Sequence, residues 1–256
     1  MDTLTVPIKS IAKEVATKRT ALKAMASTFD PLGLLTPLFF KLKMFIQDLW
    51  INKYDWDDSF DEATTTRYQA IIKDVKGFRK DIPRYINTTK NARYDLVLFY
   101  DASQRAYAAV AYLVCRPNRG QSFSSVIFSK SKLATAGKAT IPRLELMAAV
   151  LAAKLVRFIR KQLNIEFESV NILSDSQIAL YWIHSSKQLK TFVNNRVKYI
   201  KQVMDELSEA KIINQLHYVN TEENIADCAM RGLSASELIH HRWWLVARST
   251  LYPQST

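Results

Sequence analysis

The chain has 256 residues, enough for one large domain or a small unit beside a mid-sized domain. It is 48% hydrophobic with only 5 Gly and 7 Pro, which excludes a disordered or fibrous chain. The formal charge of +12 favours a polyanionic partner, nucleic acid before an acidic membrane, and 2 Cys exclude a disulfide framework or a cysteine-based zinc site.

Solvated Lys on helix surfaces would give a similar charge. Lys9, Lys13 and Glu14 interrupt any signal-peptide core, and no apolar run reaches the roughly 18 residues of a membrane helix. The expectation is a chain without a membrane partner and not secreted, in a reducing intracellular setting, cytoplasmic or nuclear.

The first 17 residues carry no clear pattern. Leu22, Met25, Ala26 and Phe29 have helical spacing, and Asp30-Pro31-Leu32-Gly33 stops that helix. Thr36-Pro37 restarts one, to about Trp50, with Leu38, Leu42, Phe45, Ile46 and Leu49 on its buried face. Ser59 and Glu62 have the spacing of a capping box for a third helix, to about Arg79. Residues 83–91 read as a linker. Residues 1–88 are therefore expected to form a small helical unit with no obvious chemistry.

The next segment ends on an acid. Val97, Leu98 and Phe99 leave no polar face, so this strand should be covered on both sides and hold Asp101 at its exit. Residues 107–115 and 123–129 read as two further strands, giving an antiparallel meander. Thr140 and Pro142 open a long helix that buries Leu146, Ala149, Val150, Ala153 and Val156. Residues 170–173 form a fourth strand, expected parallel to the first and beside it, and a helix starts after Asp175. A helix over 194–207 has a basic face of Arg196, Lys198 and Lys201. A fifth strand (215–219), a short helix (224–231) closed by Gly232, and a last helix capped by Ser234 complete the chain. The fold class is α/β, an α+β mixed sheet. Residues 89–248 form the second domain, and 249–256 a tail.

Four acids stand at or near element ends: Asp101, Glu145, Asp175 and Asp227. Neighbouring first and fourth strands would set Asp101 beside Asp175 at one sheet edge, with Glu145 on the helix crossing between them. Clustered carboxylates repel, so they imply bound cations or raised pKa values. An all-oxygen set selects a hard ion, Mg2+ or Mn2+. Two such ions are a standard device for phosphodiester hydrolysis. Any one of these acids alone would more readily be an N-cap or a surface charge, Asp175 above all.

The local sequences around the acids are more specific. Tyr100-Asp101-Ala102-Ser103, Pro142-Arg143-Leu144-Glu145-Leu146, Ser174-Asp175-Ser176 and Asn224-Ile225-Ala226-Asp227 follow in that order. The chain resembles the ribonuclease H domain of retroelement polyproteins, and most closely the BEL/Pao class of LTR retrotransposons. Asp30-Pro31-Leu32-Gly33, Phe192-Val193-Asn194-Asn195-Arg196-Val197 and the run from Ala226-Asp227 to Arg231-Gly232 also have counterparts there. The resemblance implies a ribonuclease H-like five-stranded mixed sheet flanked by helices. It implies cutting of the RNA strand of an RNA–DNA hybrid, with all four acids as ligands of two Mg2+ or Mn2+ ions. It further implies that residues 1–88 are a reverse transcriptase thumb or connection remnant and that the rest of that polyprotein is a partner.

The sequence departs from the resemblance in places. The loop Asn220-Thr221-Glu222-Glu223 lacks the His that many ribonucleases H place there, and Met230 stands where these elements commonly have Ser. His217 falls earlier and reads as structural.

Ser103, Ser176 and Asn224 either touch the RNA strand or hold the acids, with Asn224 favoured for holding. Arg143 either contacts a phosphate or pairs with an acid. Arg196 and Lys198, with Lys187, Lys190 and Lys201, form either a handle for the DNA strand or a solvated face. Trp182, Trp243 and Trp244 read as core, and Cys228 as a small buried residue. The competing function is a catalytically inactive nucleic-acid-binding or scaffold fragment. An aspartic peptidase is excluded, because neither Asp101-Ala102-Ser103 nor Asp175-Ser176-Gln177 carries the required Gly.

Overall fold

The computed structural model describes residues 3–8, 16–83, 92–135, 139–241 and 244. The predicted tail 249–256, Trp243 and all but the first residue of the predicted linker lie outside them.

The first part of the chain runs β1 (Thr3–Pro7), α1 (Lys18–Ala26), α2 (Thr36–Ile51), α3 (Glu62–Val75) and β2 (Arg79–Pro83). β1 and β2 pair antiparallel into a two-stranded sheet that the sequence pattern did not suggest. The proposed Ser59 capping box does not form. Asp61 is the N-cap of α3, accepting from the Thr64 amide at 2.7 Å, and the Tyr54 hydroxyl donates to it at 3.0 Å. An ionised carboxylate one residue from the helix is a stronger acceptor than a hydroxyl three residues away.

The second part runs β3 (Arg93–Ala102), β4 (Ala106–Arg116), β5 (Phe123–Leu133), α4 (Ile141–Gln162), β6 (Phe167–Ser174), α5 (Gln177–His184), α6 (Thr191–Glu209), β7 (Ile213–Tyr218), α7 (Ala226–Arg231) and α8 (Ala235–His240). The five strands form one mixed sheet in the order β5-β4-β3-β6-β7. β3, β4 and β5 make the expected antiparallel meander, and β6 lies parallel to β3 as expected from the crossover through α4. β3 is central, and residues 96–100 are all buried, as its unbroken apolar run requires.

Each sheet face has its own core. α4 and α6 cover one, where Leu96, Leu98 and Tyr100 meet Leu146, Ala149, Val150 and Ala153. The other face carries Val97, Phe99, Val110 and Tyr112, in one cluster with Leu38, Leu42 and Phe45 of α2 and Ala229 of α7. The helices of the first part therefore share a core with the sheet. Trp244 is fully buried there, and its indole donates to the Leu34 carbonyl at 2.8 Å.

The Asp30-to-Gly33 stop does more than end a helix. The Asp30 carboxylate accepts from the Leu34 and Leu35 amides, both at 2.9 Å. The Ser129 amide on β5 donates to Leu32 O at 2.8 Å, and its hydroxyl to Gly33 O at 2.6 Å. Gly33 has φ +70°, and a Cβ there would stand 1.9 Å from the Ser129 carbonyl oxygen. Gly33→Ala is thus expected to cost about 2 kcal/mol, from left-handed strain and displacement of the β5 contact. Urea unfolding should show this as a lower midpoint; an unchanged midpoint would mean that this junction carries no stability.

Candidate active site

Parallel pairing sets two acids at the same end of the sheet. Phe99 lies opposite Leu173 in the β3–β6 register, and Asp101 and Asp175 each follow two residues later. α4 packs across β3 and β4, which brings Glu145 to the same end. It stands in the second turn of α4 rather than the first, since the helix begins at Ile141. α7 packs on the opposite face of β3 and β4 and carries Asp227 in its first turn. The four acids thus converge on one sheet end from two strands and two helices.

Each carboxylate is held. Asp101 accepts from the Ala102 amide at 2.7 Å. Ser176 donates its hydroxyl to Glu145 at 2.6 Å, tying α4 to the loop after β6. Asn224, itself buried, donates to Asp175 at 2.9 Å and to the Tyr100 carbonyl at 3.1 Å. Arg231 pairs with Asp227 at 2.8 Å, one helical turn away. Asp175 is not the N-cap of α5. Ser176 is, accepting from the Ala179 amide at 3.1 Å, which leaves the Asp175 carboxylate for Asn224.

Burial, and then the charges of Asp175, Asp227 and Glu145, push the Asp101 carboxyl up from 3.8 to about 7, although the Ala102 amide opposes the rise. Below 3.8 this group is protonated in both the folded and unfolded chain. As pH rises towards about 7 the unfolded chain ionises first and the metal-free fold loses stability; above that the loss is complete. Asp101→Asn is therefore expected to stabilise the metal-free protein by up to about 4 kcal/mol at pH 8 and by well under 1 kcal/mol near pH 4. Thermal melts in EDTA across that range check this, and a pH-independent difference would show that Asp101 is not the strained carboxylate.

The remaining candidates separate clearly. Ser103 closes the β3–β4 turn, its amide donating to Ala106 O at 2.8 Å. Ser176 and Asn224 are buried and bonded to acids, as given above. Lys198 is exposed on α6, on a shallow groove with Asn195, Tyr199 and Lys201. Arg143 and Arg196 both lie against the Phe192 ring, at 5.0 and 3.5 Å from its centroid. His217 bonds Asn171 at 3.2 Å on β7. Trp182 packs against the α4 core, and Cys228 is buried with its thiol pushed up by that burial.

Arg231, Tyr100 and Phe192 stand in the quoted motifs, but sequence reasoning gave none of them a role of its own. The i,i+4 spacing of Asp227 and Arg231 was the available signal for the first. For the other two the motifs gave the position but not the contact.

Among the described residues, no three His, Cys, Asp or Glu side chains stand close enough together to hold a metal ion. Uncompensated like charges repel, and Asp227 is drawn to Arg231. The donor chemistry nevertheless fits a hard divalent cation: four carboxylates at one sheet end, one of them pushed up to about 7 by burial and then by the charges of the rest.

A five-stranded mixed sheet flanked by helices, with carboxylates at the exits of its two central parallel strands, is a ribonuclease H-like fold. The model of the Pao retrotransposon-like RNaseH-like domain matches residues 17–176, more than half of the chain, and the chain belongs to that family. The match includes Asp101, Glu145 and Asp175 and stops short of Asp227. No curated protein matches the sequence.

Among solved structures, the chain is similar to RNase H1 of the archaeon Halobacterium salinarum NRC-1, at 12% identity over 52% of this chain and 90% of that one, TM-score 0.34. It is similar to LC11-RNase H1 in complex with RNA/DNA hybrid, at 14% identity over 53% and 91%, TM-score 0.35. A foamy viral protease-reverse transcriptase in complex with dsDNA matches at 15% identity over 85% of this chain and 42% of that one, TM-score 0.29. No helix among the described residues is long and apolar enough to cross a membrane.

Proposed function

We propose that this chain hydrolyses the RNA strand of RNA–DNA hybrids, as part of a BEL/Pao-type retrotransposon polyprotein. The observation that carries the reading is the convergence of Asp101, Glu145, Asp175 and Asp227 on one sheet end, where burial and then the charges of the other three raise the Asp101 carboxyl. These four would hold the divalent cations, two Mg2+ or Mn2+ ions. Bound there, such ions supply an activated water and a counter-charge for the leaving oxygen.

The protein's own part is positioning. Ser176 fixes Glu145 and Asn224 fixes Asp175, so each carboxylate keeps its rotamer without a cation. Arg231 competes with any cation for Asp227, and so sets a threshold for binding at that ligand. The net charge of +12 suits a polyanionic substrate, with Lys198 and Ser103 among the groups facing it. In this reading residues 1–88 are a thumb or connection remnant of the reverse transcriptase.

The test uses a hybrid labelled separately on each strand, incubated with the full chain in Mg2+ or in Mn2+. The RNA strand should be cut internally, and the DNA strand and the same RNA in single-stranded form should stay intact. No cutting in either metal, by a folded sample that binds the hybrid, would overturn the enzyme.

A further inference from the structure

Two of the four carboxylates are held by side chains from other segments, Glu145 by Ser176 and Asp175 by Asn224. Asp101 takes its hydrogen bond from Ala102, its own neighbour. Its placement therefore follows the backbone at the exit of β3 and the turn beyond. Within that turn the Ser103 amide donates to Ala106 O at 2.8 Å. On the β5 side the Ala134 amide donates to Arg105 O at 2.7 Å.

α2 reaches the same turn from the first part of the chain. Gln47 is buried, and its amide nitrogen donates to Ala134 O at 2.9 Å and to Arg105 O at 3.4 Å. Its amide oxygen accepts from Arg105 Nε at 2.8 Å. Arg105 Nη2 pairs with Asp48 and donates to the Met44 carbonyl at 3.4 Å. Arg67 of α3 takes the second Asp48 oxygen at 2.5 Å.

A side-chain amide donates from one atom and accepts at the other, as this place requires. A carboxylate at position 47 would set a negative oxygen against two carbonyls. An aliphatic side chain would take a partner from Ala134 O in a buried setting. The contact fixes Arg105, in the turn after Asp101, and Ala134, in the segment that leads to α4 and Glu145.

We infer that Gln47, with Arg105 and Asp48, is a positioning residue for the acidic site. α2 holds the β3–β4 turn and so keeps the Asp101 end of β3 aligned with the other three acids. The inference rests on the hydrolysis proposed above and gives the first part of the chain a direct share in it.

The test is Gln47→Leu in the full chain, which removes these bonds at similar volume. RNA-strand cutting in Mg2+ should lose about 10- to 100-fold in kcat with KM within about 2-fold, because a small misplacement of a reacting group costs rate. Hydrogen exchange read by mass spectrometry should be at least about 10-fold faster over residues 102–106, through local opening of the turn. Gly33→Ala is the control. It loosens α2 from β5 at Ser129, and its kcat and turn exchange should stay at the parental values.

If Gln47→Leu does not fold, Arg105→Lys carries the same two readouts. Lys keeps a charge for Asp48 but has no Nε donor for Gln47, and the Arg105 side chain is 39% exposed. A parental kcat, or a loss of kcat that Gly33→Ala reproduces, would overturn the positioning role. Faster turn exchange in a chain that never cuts hybrid would sink the nuclease reading and leave the hold of α2 on the turn. Unchanged exchange in a chain that does cut would sink that hold and leave the nuclease.

Discussion

Asp101→Asn is expected to lower the rate of RNA-strand cutting on the order of 10³-fold or more, while the hybrid still binds in EDTA. The substitution keeps the shape of the side chain and its acceptor for the Ala102 amide, so the β3 exit should not move. It removes the carboxylate on which the charges of Asp175, Asp227 and Glu145 act. A barrier increase of about 4 kcal/mol corresponds to that rate loss.

The same variant is the one expected to melt higher above pH 7 without metal. Loss of activity combined with gain of stability is a signature that a merely structural residue would not give. Cutting at the parental rate would dismiss Asp101 from the site, whatever the other acids do.

The second large effect is expected far from the acids. Asp95 sits near the start of β3 with its side chain 1% exposed, its carboxylate 2.6 Å from the Arg116 Nε. Arg116 Nη2 donates to it at 2.7 Å and the Ser169 hydroxyl at 2.6 Å, while Arg116 also reaches Glu168 at 2.9 Å. The pair links β4, β3 and β6 at the sheet end opposite the acids. Breaking a buried pair by removing one partner leaves the other charge uncompensated, which costs about 3–5 kcal/mol.

Arg116 is about one third exposed and can turn partly to water, so Asp95→Ala should fall near the low end, about 3 kcal/mol. The urea midpoint should drop at an unchanged slope. Replacing both partners, Asp95→Val with Arg116→Met, should recover most of the loss, since a well-packed apolar pair needs no compensation. A double variant as unstable as the single one would show that Ser169 and Glu168 depend on the pair for more than charge.

Much of this protein is written locally. The strand ending at Asp101 was legible because Val97, Leu98 and Phe99 leave it no polar face, and a strand apolar on both sides belongs in the middle of a sheet. The meander and the parallel β6 followed from connection lengths and the handedness of crossovers. The short helix closed by Gly232 and the Ser234 cap were legible because cap chemistry acts within four residues. The order of four acid-bearing motifs was enough to carry the family resemblance.

What lay beyond the sequence depends on which segments meet across long separations. β1 and β2 are short and irregular in pattern, and only pairing over some 75 residues makes them strands. The turn at Leu32 and Gly33 looked like a helix stop, and its contact with Ser129 across the sheet edge cannot be read from either segment alone. Ser176 and Asn224 were open between substrate and support until the fold set them against Glu145 and Asp175. Arg143 and Arg196 meet at the Phe192 ring only because α4 and α6 pack side by side. Local propensity and capping are energies of neighbouring residues, whereas the site is built from contacts between residues far apart in the chain, and those are decided by burial of the whole core.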